Sequence, residues 1–453
     1  MSNEVKIKVI GAGLAGCEAA YAAARLGVKV ELHEMKPHKH SPAHHTDGFA
    51  ELVCSNSLRS NDVTNAVGLL KAELSSLGSL VMEAAYDTEV PAGSALAVNR
   101  ELFSEYITEK IKNHPNITVI EGEVTEIPDD GICVIASGPL TSEALANNIA
   151  EFTGGGELHF FDAAAPIVDF STVNTDVAFF ASRWGKGNPE DYLNCPMTKE
   201  QYDVFYNELI NAKAAPLKAF DKELQEDLTV FEGCMPVEVM ASRGYDTLRF
   251  GPMKPVGLPD PRTGEDAFAT VQLRRENKEG TMYNIVGFQT HLTFGEQRRV
   301  FGLIPGLENA EFFRYGVMHR NTYMNSPGLL NEVYSMKKAP NLYFAGQMTG
   351  VEGYVESASS GFVAGINAAR QALEMSPIVF PRETVIGALA AYVSEGGLSS
   401  KFQPMNANFG IIAPLEKKVK GGKRFRNEAY AQRSLEIVDK FVGKLRSEDN
   451  TAE

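Results

Sequence analysis

The beginning of the chain carries the pattern of a strand, a tight turn, a helix and a second strand. Val5–Ile10 alternates with lysine before it becomes fully apolar, and an alanine-rich helical pattern runs from Leu14 to Leu26. Val28–His33 is apolar at every second position and predicts the next strand, which ends at Glu34. Strand, helix and strand in this order form a βαβ unit, so the pattern predicts an α/β fold with a parallel sheet.

Apolar periodicity continues beyond this unit, and then the spacing of apolar and turn-forming residues changes. From about Gly154, short apolar stretches alternate with turns rich in Pro, Gly and Asn, which is typical of an inserted α+β region. Helical composition returns from Thr384 to the end of the chain. The further predicted elements are helices over 68–80, 100–113, 199–212 and 357–373 and strands over 117–121, 132–136, 158–161, 177–180, 269–273, 283–286 and 341–345.

Composition and charge limit the classes of protein to which the chain can belong, but they do not identify an activity. The chain has 453 residues, of which 44% are hydrophobic and 22% charged, and its net charge is −15. These values indicate a globular protein of two or three domains, and the acidic balance argues against general coating of nucleic acids. Neither a signal-peptide pattern nor an apolar run of membrane-spanning length is seen, so we expect a cytoplasmic protein with no membrane partner.

The turn after the first strand has the spacing of a dinucleotide-binding fingerprint. The first glycine allows a tight turn, the second lets the backbone approach a pyrophosphate, and the third lets the helix pack closely on the strand. The helix N-terminus then offers N–H groups and a positive dipole to phosphates, and an acidic residue at the end of the second strand can bind a ribose. The cofactor-binding residues predicted here are Gly11, Ala12, Gly13, Leu14, Ala15, Gly16 and Glu34.

Two later segments favour FAD over NAD as the dinucleotide. A strand pattern runs into Gly346, and Gly350 and Gly353 precede a helix rich in small residues. This arrangement resembles the late flavin-contacting motif of FAD proteins, although Gln347 stands where that motif usually has Asp. Residues 132–138 resemble the mid-chain strand of the same superfamily. We therefore predict a Rossmann-like FAD-binding domain and add the three glycines to its cofactor-binding residues.

The order of these segments predicts a divided FAD-binding domain. Residues 1–155 and 335–375 supply its two parts, and residues 156–334 form an inserted domain that faces the substrate. Residues 376–453 form a helical C-terminal segment with a basic cluster. We expect the flavin site to lie where the two parts of the first domain meet.

The five cysteines are few and widely scattered, which argues against a disulfide framework and for a reducing compartment. Cys54 lies in a polar segment with Arg59 close in sequence, and Cys234 lies between Gly and Pro in a predicted loop. Reactive thiols gather on such loops, although an inert thiol is the more common outcome for this pattern alone. The other cysteines are interpreted as packing residues, and they are Cys17, Cys133 and Cys195.

Three further features leave alternatives open. His38, His40, His44 and His45 are dense, but their spacing does not frame an ion, so we predict no metal and a polar loop near the flavin or substrate. Tyr354 can stack on the flavin or pack in the core. A basic cluster with Phe425 among it can be a solvated helix face or a phosphate-binding surface. Its residues are Lys417, Lys418, Lys420, Lys423, Arg424 and Arg426.

Three long motifs carry a more specific resemblance. Residues 42–60, 287–321 and 342–361 are similar to the folate- and FAD-dependent tRNA (uracil-5-)-methyltransferases, and the likeness covers nearly the whole chain. Such long motifs are far more specific than a glycine pattern.

The resemblance implies a reaction that the residues alone do not name. Reduced FAD would accept the methylene group of 5,10-methylenetetrahydrofolate and pass it to C5 of uracil, and NADPH or NADH would supply the reducing equivalents. An enzyme thiolate would add at C6. Cys54 and Cys234 match the functional cysteines of the family, with the attack on C6 assigned to Cys234 and the flavin side to Cys54. Tyr354 matches a tyrosine expected to stack on the flavin.

The resemblance also implies an RNA substrate, with the T-loop uridine of tRNA (position 54) as the target. The base would swing out of its loop. Phosphate contacts would come from the basic cluster and from Arg59, with Arg298 and Arg299 as further candidates. A ribosomal RNA uridine is the alternative target. A flavoprotein oxidoreductase acting on a small molecule, or a non-catalytic RNA-binding flavoprotein, is the alternative from another class.

Overall fold

The computed structural model of the chain describes residues 6–41, 43–154, 160–214, 235–275, 280, 282–321, 323–396, 402, 404–417 and 419–449. Cys234 and Lys418, two of the predicted site residues, lie outside these ranges, and so does the start of the strand predicted over 158–161.

The strands and helices follow the order that the apolar pattern predicts for an α/β chain. The strands are β1 (Lys6–Ile10), β2 (Lys29–Glu34), β3 (Ser57–Ser60), β4 (Glu89–Val90), β5 (Ala95–Val98), β6 (Ile117–Glu121), β7 (Ile132–Ile135), β8 (Phe160–Ala164), β9 (Ile167–Asp169), β10 (Phe179–Phe180), β11 (Tyr192–Met197), β12 (Ala269–Arg275), β13 (Met282–Ile285), β14 (Phe312–Arg314), β15 (Val317–Asn321) and β16 (Leu342–Phe344). The helices are α1 (Leu14–Arg25), α2 (Ala66–Leu77), α3 (Leu80–Asp87), α4 (Arg100–Lys112), α5 (Glu143–Thr153), α6 (Lys199–Ile210), α7 (Val237–Ser242), α8 (Thr247–Phe250), α9 (Phe294–Phe301), α10 (Tyr354–Ala372), α11 (Val385–Glu395) and α12 (Lys423–Asp449).

A parallel sheet forms the centre of the fold, in the order β16-β7-β1-β2-β6. Helices α1 and α10 pack closely on each other beside it. A Cβ added at Gly361 or Gly365 would overlap the backbone of Ala15 or Ala19, so only glycine allows this approach. The predicted α/β fold with a parallel sheet is confirmed. The sheet places β16, from the second half of the chain, beside strands from the first.

The remaining strands form antiparallel sheets. The largest has the order β10-β11-β12-β13-β9-β14, and β3-β5-β4 and β15-β8 form two smaller ones. Buried apolar residues between 168 and 310 form one hydrophobic cluster, whereas a larger cluster combines residues 7–149 with residues 324–438. The larger cluster includes side chains of α11 and α12, so the C-terminal segment packs on the core of the parallel sheet. These clusters support the proposed division of the chain, which stays a prediction.

Several predicted boundaries were wrong for local reasons. The helix predicted over 357–373 begins at Tyr354, because Gly353 adopts a φ of +123° and serves as its N-cap. The helix predicted over 68–80 ends at Leu77, where Gly78 in the left-handed conformation stops it, and α3 begins three residues later. In the tail, α11 ends at Glu395 and α12 begins at Lys423, and the described residues between them are not helical. None of the helices in the described part of the chain is long and apolar enough to cross a membrane.

A buried glutamate joins three helices of the larger cluster. Glu73 of α2 is fully buried, and its carboxylate accepts hydrogen bonds from the backbone N–H groups of Val385 (2.8 Å) and Ile386 (2.9 Å) and from the hydroxyl of Ser434. The carboxylate therefore caps α11 from outside and holds α12 against α2. Burial raises the pKa of Glu73 to about 7, while these hydrogen bonds oppose that shift.

We expect Glu73→Ala to lower the free energy of unfolding by roughly 3 kcal/mol, because buried donors are left without an acceptor. The urea midpoint of the variant measures this loss. Glu109→Ala, on the exposed face of α4, is the matched control and should shift the midpoint little. Equal shifts for the two variants would contradict the stabilising role of Glu73.

Candidate functional site

A cleft lies at the carboxyl edge of the parallel sheet, where the segments that follow the strands converge. Its volume is about 1140 Å³, part of which is open to solvent. It is lined by residues that follow β1, β2, β6, β7 and β16 and by the first turns of α1 and α10. Ligands of open α/β sheets bind at this edge. The cleft is therefore the candidate cofactor site.

The positions of the fingerprint require glycine for different structural reasons. Gly11 has a φ of +97°, and a Cβ there would lie 2.7 Å from the carbonyl oxygen of Ala136. A Cβ at Gly16 would overlap the carbonyl oxygen of Gly11. Gly13 has an ordinary φ of −76°, and a Cβ there would meet nothing within 4 Å. Packing within the protein therefore explains Gly11 and Gly16, whereas Gly13 keeps free a space in the cleft that a close-approaching ligand needs.

The acidic residue at the end of β2 lies where the fingerprint predicts. Glu34 lines the cleft, and its carboxylate accepts hydrogen bonds from the backbone N–H groups of Ala12 (2.7 Å) and Lys36 (3.0 Å). A carboxylate has about four acceptor positions. These two bonds fix the side chain and leave acceptor capacity for the hydroxyl groups of a ribose.

The second half of the cleft comes from the segment after β16. Gly346, Gly350 and Gly353 have φ values of +83°, +86° and +123°, so the backbone follows a path that favours glycine at each of them. Gln347 and Tyr354 line the cleft. Helix α10 begins at Tyr354 with no side-chain cap, as α1 begins after Gly13 with none. Two uncapped helix N-termini therefore lie at the cleft, which suits an anionic ligand.

The residues of the cleft fit FAD. The Gly11–Ala15 turn would hold the pyrophosphate at the N-terminus of α1, and Glu34 would bind the adenosine ribose. The segment from Gly346 to Tyr354 would hold the flavin half. The open space at Gly13 is the observation that supports this fit most directly, because no contact among the described residues requires glycine there.

Tyr354 and Cys54, which are 300 residues apart in sequence, meet at this end of the cleft. The Tyr354 hydroxyl accepts hydrogen bonds from the backbone N–H groups of Cys54 (2.8 Å) and Ser55 (3.1 Å). The Cys54 side chain is half-buried. The start of α10 thus holds the cysteine loop against the predicted flavin side of the cleft. Two of the three predicted catalytic residues come together, and the third, Cys234, lies outside the described residues.

Tyr354→Phe should separate the two roles of this side chain. The ring would stay in the cleft, so FAD should be retained, but two backbone N–H groups of the cysteine loop would lose their acceptor. Such a loss costs about 1–3 kcal/mol, and we expect kcat to fall roughly 10- to 100-fold. Steady-state turnover with the flavin content of each preparation measures this. Loss of FAD with an unchanged rate per bound flavin would contradict the positioning role.

The inserted region reaches the same loop through strand β12. Arg274 donates a hydrogen bond from Nη2 to the Ser55 hydroxyl (2.5 Å), and the Asn56 side-chain amide donates to the carbonyl oxygen of Arg275 (3.0 Å). The Cys54 loop therefore lies between the start of α10 and the end of β12. Sequence reasoning missed Arg274, because only the fold brings it beside Cys54.

Arg59, predicted to contact RNA, has a partner in the protein. Its guanidinium forms an ion pair with the carboxylate of Glu356, which is fully buried in the first turn of α10. The Arg59 side chain remains 40% exposed. Lys71, fully buried, donates to the carbonyl oxygens of Leu58 and Ser60 (2.7 Å each) and so fixes β3, which carries Arg59. An RNA contact by Arg59 stays a prediction.

The three cysteines interpreted as packing residues are buried. Burial raises the pKa of the Cys133 and Cys195 thiols to about 12, and burial raises the pKa of Cys17 as well. These thiols stay protonated at neutral pH and are poor nucleophiles. Cys54 is more exposed than they are, and its catalytic role stays a prediction.

The histidine-rich loop contributes to the wall of the cleft, as predicted for a loop near the cofactor. Ser41 and His44 line it, and the Ser41 hydroxyl lies 2.5 Å from Nδ1 of His44. Burial lowers the pKa of His44, and the charge of Lys36 lowers it further, so the imidazole is neutral at neutral pH. Within the described ranges, no group of three or more His, Cys, Asp or Glu residues could hold a metal ion.

The basic cluster lies at the beginning of α12. Lys417, Lys420, Arg424 and Arg426 are exposed, as is Phe425, and the helix begins at Lys423. Arg424 also pairs with Glu428 (3.0 Å) on the next turn. Cations in the first turn of a helix oppose its dipole and cost about 0.3–1 kcal/mol each. Helix stability therefore does not explain this run of positive charge, and its binding to RNA phosphates stays a prediction.

Comparison with known proteins identifies the family. The family model described as glucose inhibited division protein A matches residues 6–376. The methylenetetrahydrofolate--tRNA-(uracil-5-)-methyltransferase TrmFO of Acetivibrio thermocellus is 60% identical over 438 residues, which cover 97% of this chain and 99% of that protein. The chain belongs to the family of methylenetetrahydrofolate--tRNA-(uracil-5-)-methyltransferases. The family predicted from the three long motifs is therefore confirmed, and so is its character as an FAD-dependent methyltransferase.

Further relatives and solved structures agree with this assignment. Proteins of the same name from Natranaerobius thermophilus and Enterococcus faecalis are 58% and 56% identical, each covering 97% of this chain and 99% of the relative. Two crystal forms of GidA from Aquifex aeolicus superpose with TM-scores of 0.69 and 0.68 over 98% of this chain, covering 74% and 79% of the GidA chain at 18% and 19% identity. At this identity, the superposition establishes the shared fold alone.

Proposed function

We propose that this chain transfers a one-carbon unit from 5,10-methylenetetrahydrofolate to C5 of the T-loop uridine of tRNA, with NADPH or NADH as the reductant. The hydrogen bonds that tie the Cys54 loop to Tyr354 at the flavin side of the cleft are the observation that carries the proposal. They bring a thiol beside the site of a redox cofactor.

The overall reaction replaces the hydrogen at C5 of uracil with a methyl group. A new carbon–carbon bond joins C5 to the folate-derived carbon, the C5 hydrogen leaves as a proton, and two electrons from the nicotinamide complete the methyl group. When bound, FAD supplies the one-carbon carrier and the redox centre for this chemistry. The chain itself has to orient the uracil, activate C5 and keep water away from the reacting atoms.

Activation of C5 requires a nucleophile at C6, because uracil C5 is otherwise a poor nucleophile. We assign this attack to Cys234 and the flavin-side role to Cys54. The contact of the Cys54 backbone with Tyr354 supports the second assignment, since it holds this thiol close to the start of α10. After C5 has reacted, loss of its proton would expel the thiolate from C6 and restore the aromatic base.

The substrate RNA has to approach the cleft with its phosphates held by positive charge. The exposed cations at the start of α12 are suited to this, because their charge is not required by the helix. The target base would leave its loop to reach the cleft, as in other enzymes that modify bases.

The test is an assay with methylenetetrahydrofolate labelled in its methylene carbon, NADPH and an unmodified tRNA transcript. We expect label in the tRNA at the T-loop uridine, whereas a ribosomal RNA fragment offered in its place should stay unlabelled. Oxidation of NADPH without label in RNA would overturn the proposal in favour of a small-molecule oxidoreductase. Label in the ribosomal fragment alone would reassign the substrate.

A further inference from the structure

Trp184, the only tryptophan of the chain, is held in an unusual conformation on the surface. Its side chain lies in the inserted region just before β11, and the residue is 61% exposed. Its φ of +56° and ψ of +26° fall in the left-handed region, which is rare for bulky residues. Such backbone strain persists where the surrounding structure fixes it, and it clusters at functional sites.

Several contacts fix the indole in place. The backbone N–H of Trp184 donates to the carbonyl oxygen of Gly257 (2.9 Å), and a Cβ added to Gly257 would lie 2.6 Å from the indole Nε1, so only glycine leaves room for the ring. The Arg183 guanidinium lies 5.8 Å from the ring centroid. It is held by the carbonyl oxygens of Val256 and Lys254 (2.9 Å to the latter). The ring is thus fixed on one side while more than half of the residue stays exposed.

The same face of β12 connects this indole to the cysteine loop. Arg183 also donates to the side-chain oxygen of Gln272 (3.0 Å), while Arg274 donates to Ser55, the neighbour of Cys54. Residues 272 and 274 are two apart on one strand, so their side chains leave the same face about 7 Å from each other. Arg183, whose guanidinium lies over the Trp184 ring, and Ser55, the neighbour of Cys54, therefore contact the same face of β12.

The segment from Asn61 to Thr64 lies between the Trp184 loop and the C-terminal helix. Lys186 follows Trp184 closely in sequence, and Gly187 packs on the backbone of Gly93. The backbone N–H of Asn61 donates to the carbonyl oxygen of Ser94, next to Gly93 (2.9 Å), and the side-chain amide of Asn427 on α12 donates to the carbonyl oxygen of Thr64 (2.8 Å). The Trp184 loop and the basic start of α12 therefore belong to one surface.

We propose that Trp184 is a stacking platform for an unpaired base of the RNA substrate, on the surface that links the basic start of α12 to the Cys54 loop. The inference rests on the proposed function and adds a base contact to it. A fixed, exposed aromatic ring next to cations is the combination by which proteins bind unpaired nucleotides, with phosphates held by charge and a base held by its π face. A double helix, whose bases are already stacked, offers no such partner.

The single tryptophan gives a direct readout of this contact. We expect unmodified tRNA transcript to quench the tryptophan emission of the FAD-loaded protein, whereas a fully paired RNA duplex of similar length should leave it nearly unchanged. An equal effect of both RNAs would overturn the proposal, because binding to phosphates alone would then account for the signal.

Kinetics of two variants test the role of the ring. Trp184→Leu should raise the KM for tRNA about 10- to 100-fold with little change in kcat, and Trp184→Phe should recover most of the loss. Phe152→Leu, which removes an aromatic that is 51% exposed on α5, is the control for a general effect of surface aromatics. A Trp184→Leu variant that retains FAD and the wild-type KM would contradict the proposal. Absence of label transfer by the wild type would instead contradict the proposed function.

Discussion

Gly13→Val should yield a folded chain that no longer retains FAD. The backbone at Gly13 has an ordinary φ, and a Cβ there meets nothing within 4 Å, so the protein alone tolerates a side chain. The valine would project into the space that the pyrophosphate needs in order to reach the N-terminus of α1. Loss of two charge-assisted hydrogen bonds at about 1.5–3 kcal/mol each weakens FAD binding by at least about 100-fold.

Two further glycine variants make this prediction specific. Gly443→Val, at an exposed position of α12 where a Cβ is also free of contacts, should retain both the fold and FAD. Gly11→Val should instead reduce stability, because a Cβ there approaches the carbonyl oxygen of Ala136 and the φ is positive. Flavin absorbance after gel filtration and a urea midpoint for each variant measure the two effects. A Gly13→Val protein that keeps its flavin would place the pyrophosphate elsewhere.

Cys54→Ala should lower methyl transfer by at least roughly 10³-fold while FAD stays bound. Cys54 lies on the loop held by Tyr354 and Arg274, directly after Val53, which lines the cleft. Removal of a thiol that takes part in covalent or proton-transfer steps removes a route that water does not replace. Single-turnover formation of 5-methyluridine in flavin-matched samples measures the effect.

Cys195→Ala is the matched control for this variant. Cys195 is fully buried in the second hydrophobic cluster, and burial raises the pKa of its thiol to about 12. Its loss should reduce stability by about 1 kcal/mol and leave the rate per folded molecule unchanged. A Cys54→Ala enzyme with near-normal turnover would remove Cys54 from the mechanism and leave Cys234 as the candidate thiol.

Sequence patterns predicted those parts of the fold that depend on short stretches of chain. The turn from Gly11 to Gly16 and the acid Glu34 lie within one βαβ unit, so their spacing sufficed to place them at one edge of the sheet. Gly346 and Gly353 belong to a second local pattern, which predicted the other half of the cleft. The start of α10 was missed because a φ of +123° at Gly353, which no periodicity reveals, sets it at Tyr354.

These local patterns could not predict contacts between segments that are distant in sequence. Nothing in the sequence near Arg274 indicates that it bonds to Ser55, or that Arg59 pairs with the buried Glu356. The family resemblance implied an RNA contact for Arg59, and this stays a prediction beside its ion pair with Glu356. The sequence around Trp184 likewise does not predict a functional residue. An exposed, strained aromatic can be distinguished from a core aromatic only when its backbone angles and exposure are known.

The most direct test of the proposed reaction follows the folate carbon itself. The enzyme is given unmodified tRNA transcript, NADPH and methylenetetrahydrofolate that carries deuterium at both methylene positions, and the RNA nucleosides are examined by mass spectrometry. We expect 5-methyluridine whose methyl group holds two deuterium atoms and one hydrogen, and none of this product with Cys54→Ala. Unlabelled 5-methyluridine, or none from the FAD-loaded wild type, would contradict the proposed reaction.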